Sequence, residues 1–283
     1  VREWGRPGDP IIFMLHGWSD VSATYQFVID ALSSKWHVIA PDLRGFGLSV
    51  RDAPIYWYQE YLADLDALLE HYSPNHAVRL VGHSMGGNVA ALYAGVRPHR
   101  VKDLVGIEAH GLPDSSPEKA PERLAIWLDR IHRGHMRAER GHRDIDSFVA
   151  RMMEANPRLR RDRAHFLAQH LTEPSQDGGV RLAMAPAHRN VNPVLYRRSE
   201  AEHCWCRIRA RVLWLVQQGQ HWRRARGISD ELVARARACI SDLSEVAIAD
   251  AGHNLHHDQP EHVASAMEAF FDDRPLPRRL TQE

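Results

Sequence analysis

Lysine is almost missing from this 283-residue chain: Lys35, Lys102 and Lys119 stand against 36 lysines and arginines together. We read that shortage as a bias of genome composition, not of substrate chemistry. Net charge is missing too. The 36 basic residues balance 36 acidic ones, with no basic tail, so neither nucleic acid nor a membrane is expected as a partner. Cysteine is sparse, at Cys204, Cys206 and Cys239. An odd count in a chain this long is no disulfide framework, and Cys204-Trp205-Cys206 lacks the spacing and partners of a zinc site. A reducing, cytoplasmic compartment is the simplest expectation. No run of about 18 apolar residues occurs, and no signal-peptide pattern. The first residue is Val1, which leaves open whether a targeting segment was removed. Nor is there an internal repeat. With 44% hydrophobic and 25% charged residues, the composition is that of a globular protein able to bury a core, as one large α/β domain or two small ones.

Short apolar runs recur between helical stretches. Ile11–Leu15, His37–Ala40, Val78–Val81, Leu104–Ile107 and Val212–Val216, with a weaker run at Val246–Ala249, read as buried strands of a mostly parallel sheet. Tyr56–His71 and Asn88–Arg97 have the length and spacing of crossover helices, so the alternation points to an α/β fold with helices on both faces. Between the fourth and fifth runs the rhythm breaks. From 112 to 206 there is no sheet strand to read. Helical stretches at Pro121–Met136, Ile145–Asn156 and Asp162–Leu171 are followed by a loop from Pro174 to Pro193. Such an insertion is too long for a plain loop and is expected to be a helical cap, hinged at Pro113 and Pro193. The expected organisation is therefore a core over 1–111, a cap over 112–206 and the rest of the core over 207–283. Trp127, Met136, Phe148, Met152 and Met153 are assigned to the cap interior in preference to a pocket lining, and the basic stretch from Arg130 to Arg143 to a solvated face.

The strongest chemical signal is Gly82-His83-Ser84-Met85-Gly86, placed after a strand and before a helix. A serine on so sharp a turn has a strained backbone, and side chains at the flanking glycines would clash. The turn exposes Oγ, and the helix start behind it offers backbone N–H groups. Ser84 is the candidate nucleophile. Acyl transfer also needs two donors for the developing oxyanion. The amide of Met85 is one. The loop Leu15-His16-Gly17-Trp18 supplies the other, taken as the amide of Trp18, with His16 a structural residue that pins the loop. A general base has to reach Ser84, and Gly252-His253, just past the last apolar run, places His253 where a loop would turn inward. His256 and His257 come later, at the start of the next helix. A metal site made of these three histidines has no carboxylate or cysteine pattern behind it, so no metal and no cofactor are expected.

The order His16-Gly17-Trp18, Pro41 to Ser49, Gly82 to Gly87, an insertion, and Gly252 to Glu261 resembles the α/β-hydrolase superfamily. It is most similar to its capped members, which include esterases, carbon–carbon bond hydrolases, haloalkane dehalogenases and epoxide hydrolases. The likeness covers 1–111 and 207–271. It implies an eight-stranded sheet, clipped at its first strands, with an active site beneath the cap. Dehalogenases and epoxide hydrolases use an aspartate nucleophile, so Ser84 argues against both.

The acid departs from the common pattern. Most of the family carries it in a turn after the strand that follows the cap; here that turn reads Gln217-Gln218-Gly219-Gln220-His221-Trp222, with no carboxylate. Some members place it at the end of the strand after the nucleophile helix, which here is Glu108. A lone charge there would need a partner. Asp114, Asp230 or no acid at all remain the alternatives. The expectation is a carboxylesterase-like serine hydrolase of a small or medium ester, with Ser84, Glu108 and His253 as its triad. Carbon–carbon or lactone hydrolysis, or ligand binding with little turnover, are the rivals. The expected partner is a small-molecule ester or acyl compound, and a homodimer is the one assembly allowed for.

Overall fold

The alternation of side chains along each apolar run decides the architecture. The computed structural model describes residues 1–132, 141–176, 178–276 and 279–280. In chain order the first half holds β1 (Arg2–Trp4), β2 (Ile11–Leu15), α1 (Gln26–Ala31), β3 (His37–Ala40), α2 (Tyr58–Tyr72), β4 (Val78–His83), α3 (Met85–Val96) and β5 (Val101–Ile107). Then come α4 (Ala120–His132), α5 (Ile145–Ala155), α6 (Arg161–Leu171), β6 (Thr172–Pro174), β7 (Val180–Leu182) and α7 (Arg198–Trp205). The chain closes with β8 (Arg211–Gln217), α8 (His221–Ala225), α9 (Asp230–Cys239), β9 (Leu243–Ile248), α10 (Leu255–Asp258), α11 (Pro260–Phe271) and β10 (Arg279–Leu280).

One eight-stranded sheet runs in the order β1-β3-β2-β4-β5-β8-β9-β10. The edge strand β1 is antiparallel to β3, and every other pairing is parallel. The central strands β2, β4, β5 and β8 are apolar on both faces because both are covered. Ile12, Met14, Val38, Val81, Val105, Leu213 and Val246 point to one side, against Val28 of α1 and Val263, Met267 and Phe270 of α11. Their neighbours Phe13, Leu15, Ile39, Leu80, Leu104, Val212 and Trp214 point to the other, against Leu65 and Leu69 of α2 and Val89 and Tyr93 of α3.

Among the described residues, the segment between β5 and β8 adds no strand to this sheet. Helices α5 and α6 form a small core of their own from Phe148, Val149, Leu167 and Leu171, docked on Val21 and Ala23 of the loop after β2. Phe148 is buried there, with Met152 and Met153 packed beside it; Trp127 stands on α4, which buries no residue, so its assignment to the cap interior fails, and Met136 lies outside the described residues. Asp144 caps α5 by accepting from the Ser147 N–H at 2.8 Å. Where a loop from Pro174 to Pro193 was expected, β6 and β7 pair as a separate antiparallel hairpin. Its strands are three residues each, too short for any alternation to announce them. Helix α3 begins at Met85, three residues earlier than the expected Asn88, because the glycines of the turn read as breakers.

The cysteines also correct an expectation. Cys206 and Cys239, at the ends of the neighbouring α7 and α9, are joined as a disulfide, while Cys204 is free. The cysteine count therefore no longer argues for a reducing compartment. Among the described residues no helix is long and apolar enough to cross a membrane.

Candidate active site

Four strand ends meet on one side of the sheet, and each delivers one part of the site. At the end of β4 the chain turns on Ser84, whose φ of 49° and ψ of −111° lie where residues with a side chain rarely go. The strain is of order 1–3 kcal/mol. Two bonds hold it: the Ser84 N–H donates to Ile107 O at 2.8 Å, and its carbonyl accepts from the Asn88 N–H at 3.0 Å. The glycines are obligatory for a steric reason. A Cβ on Gly82 would stand 2.5 Å from Gly87 Cα, and one on Gly86 would stand 2.2 Å from Leu15 O.

The loop after β2 lies against this turn. A Cβ on Gly17 would meet His83 Nδ1 at 2.6 Å and Ser84 Cβ at 3.5 Å. His16 is wholly buried and structural. Its Nε2 accepts from the Leu43 N–H at 2.8 Å, so Nδ1 carries the proton and donates to Gly17 O at 2.7 Å. Trp18 follows, half exposed, on the wall of a cavity of about 300 Å³ that Ser84, Met152, Leu159, Leu171 and His253 also line. Met85 opens α3 directly after Ser84, at the helix end where N–H groups lack intrahelical partners.

Glu108 ends β5 with a second positive φ, 51°, and is 3% exposed. Its Oε1 accepts from the Gln217 N–H at 2.6 Å. Its Oε2 has no hydrogen-bond partner and lies 3.6 Å from Nδ1 of His253, which has none either. Burial raises the Glu108 carboxyl above its ordinary range, against the Gln217 N–H that lowers it. Burial first, and the Arg226 charge second, hold the His253 imidazole below the usual histidine range. The structure thus brings Glu108 and His253 face to face. The alternatives are engaged elsewhere: Asp114 accepts from the Arg198 N–H at 2.7 Å, and the exposed Asp230 pairs with Arg223 and Arg224.

Three further residues support His253 and were not singled out from the sequence. Trp222 of α8 stacks on its ring, with centroids 3.4 Å apart and planes 7° apart. Because a carbonyl can only accept, His83 Nε2–H donates to His253 O at 3.1 Å. Gln217 braces the site twice, through its N–H on Glu108 and its Nε2 on Ala251 O at 2.9 Å. Gln217 and Trp222 both sit in the turn whose lack of a carboxylate was the visible signal; a role in bracing the histidine loop is what that turn supplies instead.

Parallel sheet, nucleophile-type turn and histidine loop define one class of protein. A family model described as the alpha/beta hydrolase fold matches residues 10–260, and the chain belongs to that family. Among curated relatives it is 26% identical, over 95% of this chain and 83% of the other, to a serine hydrolase-like protein of Danio rerio. It is also 26% identical, over 96% and 91%, to the 2-(acetamidomethylene)succinate hydrolase of Mesorhizobium japonicum. Among solved structures, the thioesterase domain from a curacin biosynthetic pathway superposes with a TM-score of 0.79 at 26% identity, covering 93% of this chain and 92% of that one.

Proposed function

We propose that the protein is a serine hydrolase cleaving a small or medium carboxylic ester, with Ser84 as nucleophile, His253 as general base and Glu108 as the orienting acid. The observation that carries this reading is the pair of free, buried atoms, Glu108 Oε2 and His253 Nδ1, facing each other at 3.6 Å. Neither atom has a hydrogen-bond partner among the described residues. The distance is longer than a hydrogen bond, and such contacts commonly tighten when substrate is bound.

Oγ of Ser84 attacks the ester carbonyl while His253 Nε2 takes its proton. Glu108 keeps the remaining proton on Nδ1 and stabilises the imidazolium. The carbonyl oxygen becomes an oxyanion held by the amides of Trp18 and Met85. Collapse of the tetrahedral adduct breaks the ester C–O bond, and His253 returns the proton to the departing alkoxide. Water then repeats the sequence on the acyl-enzyme and releases the acid. The segment that bears α5 and α6 acts as a cap, since Met152, Leu159 and Leu171 wall the cavity. Similarity to a protein named serine hydrolase-like and to a thioesterase domain supports acyl transfer as the class of reaction.

The test is turnover of p-nitrophenyl esters of increasing acyl length by the purified protein. Short and medium esters are expected to be hydrolysed, with Ser84→Ala reduced to background. No hydrolysis of any chain length would remove the ester assignment.

A further inference from the structure

Directly beside the site, a second group of buried side chains carries polar atoms without hydrogen-bond partners. Asp20, at the end of the loop after β2, is 6% exposed; His256 and His257, on α10, are 0% and 6% exposed. Asp20 Oδ1 is occupied by the Val21 N–H at 2.9 Å. Its Oδ2 has no hydrogen-bond partner, and neither has Nδ1 or Nε2 of His256 or Nε2 of His257. Burying such atoms unpaired costs of order 1–3 kcal/mol each, so this cluster requires an explanation. Asp20 Oδ2 lies 3.6 Å from His256 Nε2, and one ligand atom from each of the three residues falls within 4.8 Å of the others.

We propose that Asp20, His256 and His257 form a binding site for a divalent transition-metal ion of the zinc class. One carboxylate and two imidazoles are the donor set that zinc takes when one coordination position stays open, with bonds of about 2.0–2.2 Å. Three ligand atoms within 4.8 Å of one another are close enough for a single ion to reach them all once the side chains adjust. Asp20 and His257 also line the cavity that holds Ser84, so the ion has a route in and water has access to the open position. From sequence alone the histidines lacked a carboxylate; the fold supplies it from the loop after β2, far away along the chain.

The test is calorimetric titration of chelator-treated wild-type protein with Zn²⁺, followed by Co²⁺ as a spectroscopic reporter of its ligands. One ion per chain is expected, with the visible absorption of a low-coordinate Co²⁺ site. Asp20→Asn keeps the shape of the side chain, and His257→Gln removes one imidazole. Each, once shown by circular dichroism to be folded, is expected to bind at least about 100-fold more weakly, beyond what loss of a supporting hydrogen bond costs. Ser84→Ala and the exposed His203→Gln are expected to bind as the wild type does, which separates this site from the nucleophile and from surface histidines. Wild-type protein that binds no ion, Asp20→Asn that binds as tightly as wild type, or loss of binding in His203→Gln would overturn the proposal.

Discussion

Oε2 of Glu108 and Nδ1 of His253 stand 3.6 Å apart, and neither atom has a hydrogen-bond partner among the described residues. They arrive from the ends of β5 and β9, with β8 between them in the sheet. The longer side chain of glutamate spans that intervening strand, and the Gln217 N–H of β8 fixes its other oxygen.

Glu108→Gln is expected to lower kcat by about 10²–10⁴-fold. The amide oxygen still accepts from the Gln217 N–H, so the melting temperature is expected to change little. Steady-state kinetics and a thermal melt check both halves. A variant with near wild-type kcat would remove Glu108 from the triad.

Trp222→Leu is expected to move the acidic limb of the kcat/KM–pH profile upward by about one unit. As the proposed base, His253 acts only when neutral, so activity is expected to be lost as pH falls through its pKa. Burial holds that pKa below the ordinary 6.5, and the Trp222 ring covers one whole face of the imidazole. Removing the ring hydrates the imidazolium and returns the limb toward 6.5. An unmoved limb would show that Trp222 contributes nothing to the desolvation.

The sequence made the candidate site legible wherever chemistry and local geometry coincide. Gly82 and Gly86 are forced by the turn itself, so Ser84 could be read directly, and the apolar runs announced the central strands because both faces are covered. Glu108 was harder, since a carboxylate at a strand end becomes meaningful only when β8 and β9 bring His253 opposite it. Gln217 and Trp222 lie in a turn that the missing carboxylate marks as unusual, but nothing local shows what either side chain does, and Asp20 carries no local signal. A stacking tryptophan, a bracing amide and a buried aspartate look like any others until the chain folds. The β6–β7 hairpin and the Cys206–Cys239 pair were missed for the same reason: they depend on tertiary neighbours and not on periodicity.

Stability is expected to fall in mild acid. Burial lowers the His110 pKa from 6.5 to about 4, so the fold holds it neutral. Above 6.5 the folded and unfolded states are both neutral and its contribution is complete. As pH drops from 6.5 to about 4 the unfolded chain alone takes up the proton, and stability declines by about 3 kcal/mol from this residue. Denaturant unfolding at a series of pH values, compared with His110→Asn, measures it. An equal pH slope in the two proteins would contradict the assignment.

Arg198→Ala is expected to destabilise the protein by about 3–5 kcal/mol. The guanidinium is fully buried and bonds Glu202 at 2.8 Å, His110 O at 3.0 Å, Leu112 O at 3.1 Å and Leu232 O at 2.7 Å. It thereby ties the segment leaving β5, just past Glu108, to α7 and α9. Urea denaturation gives the value directly. A loss below about 1 kcal/mol would mean that these bonds are replaced by water at no cost.

The most direct test of the central claim is covalent labelling. Intact protein is treated with a fluorophosphonate probe, and the adduct is located by peptide mass spectrometry. One adduct per chain is expected, on the peptide that contains Ser84, with no adduct in Ser84→Ala. Failure of the folded wild-type protein to label, or labelling that persists in Ser84→Ala, would contradict a nucleophilic Ser84.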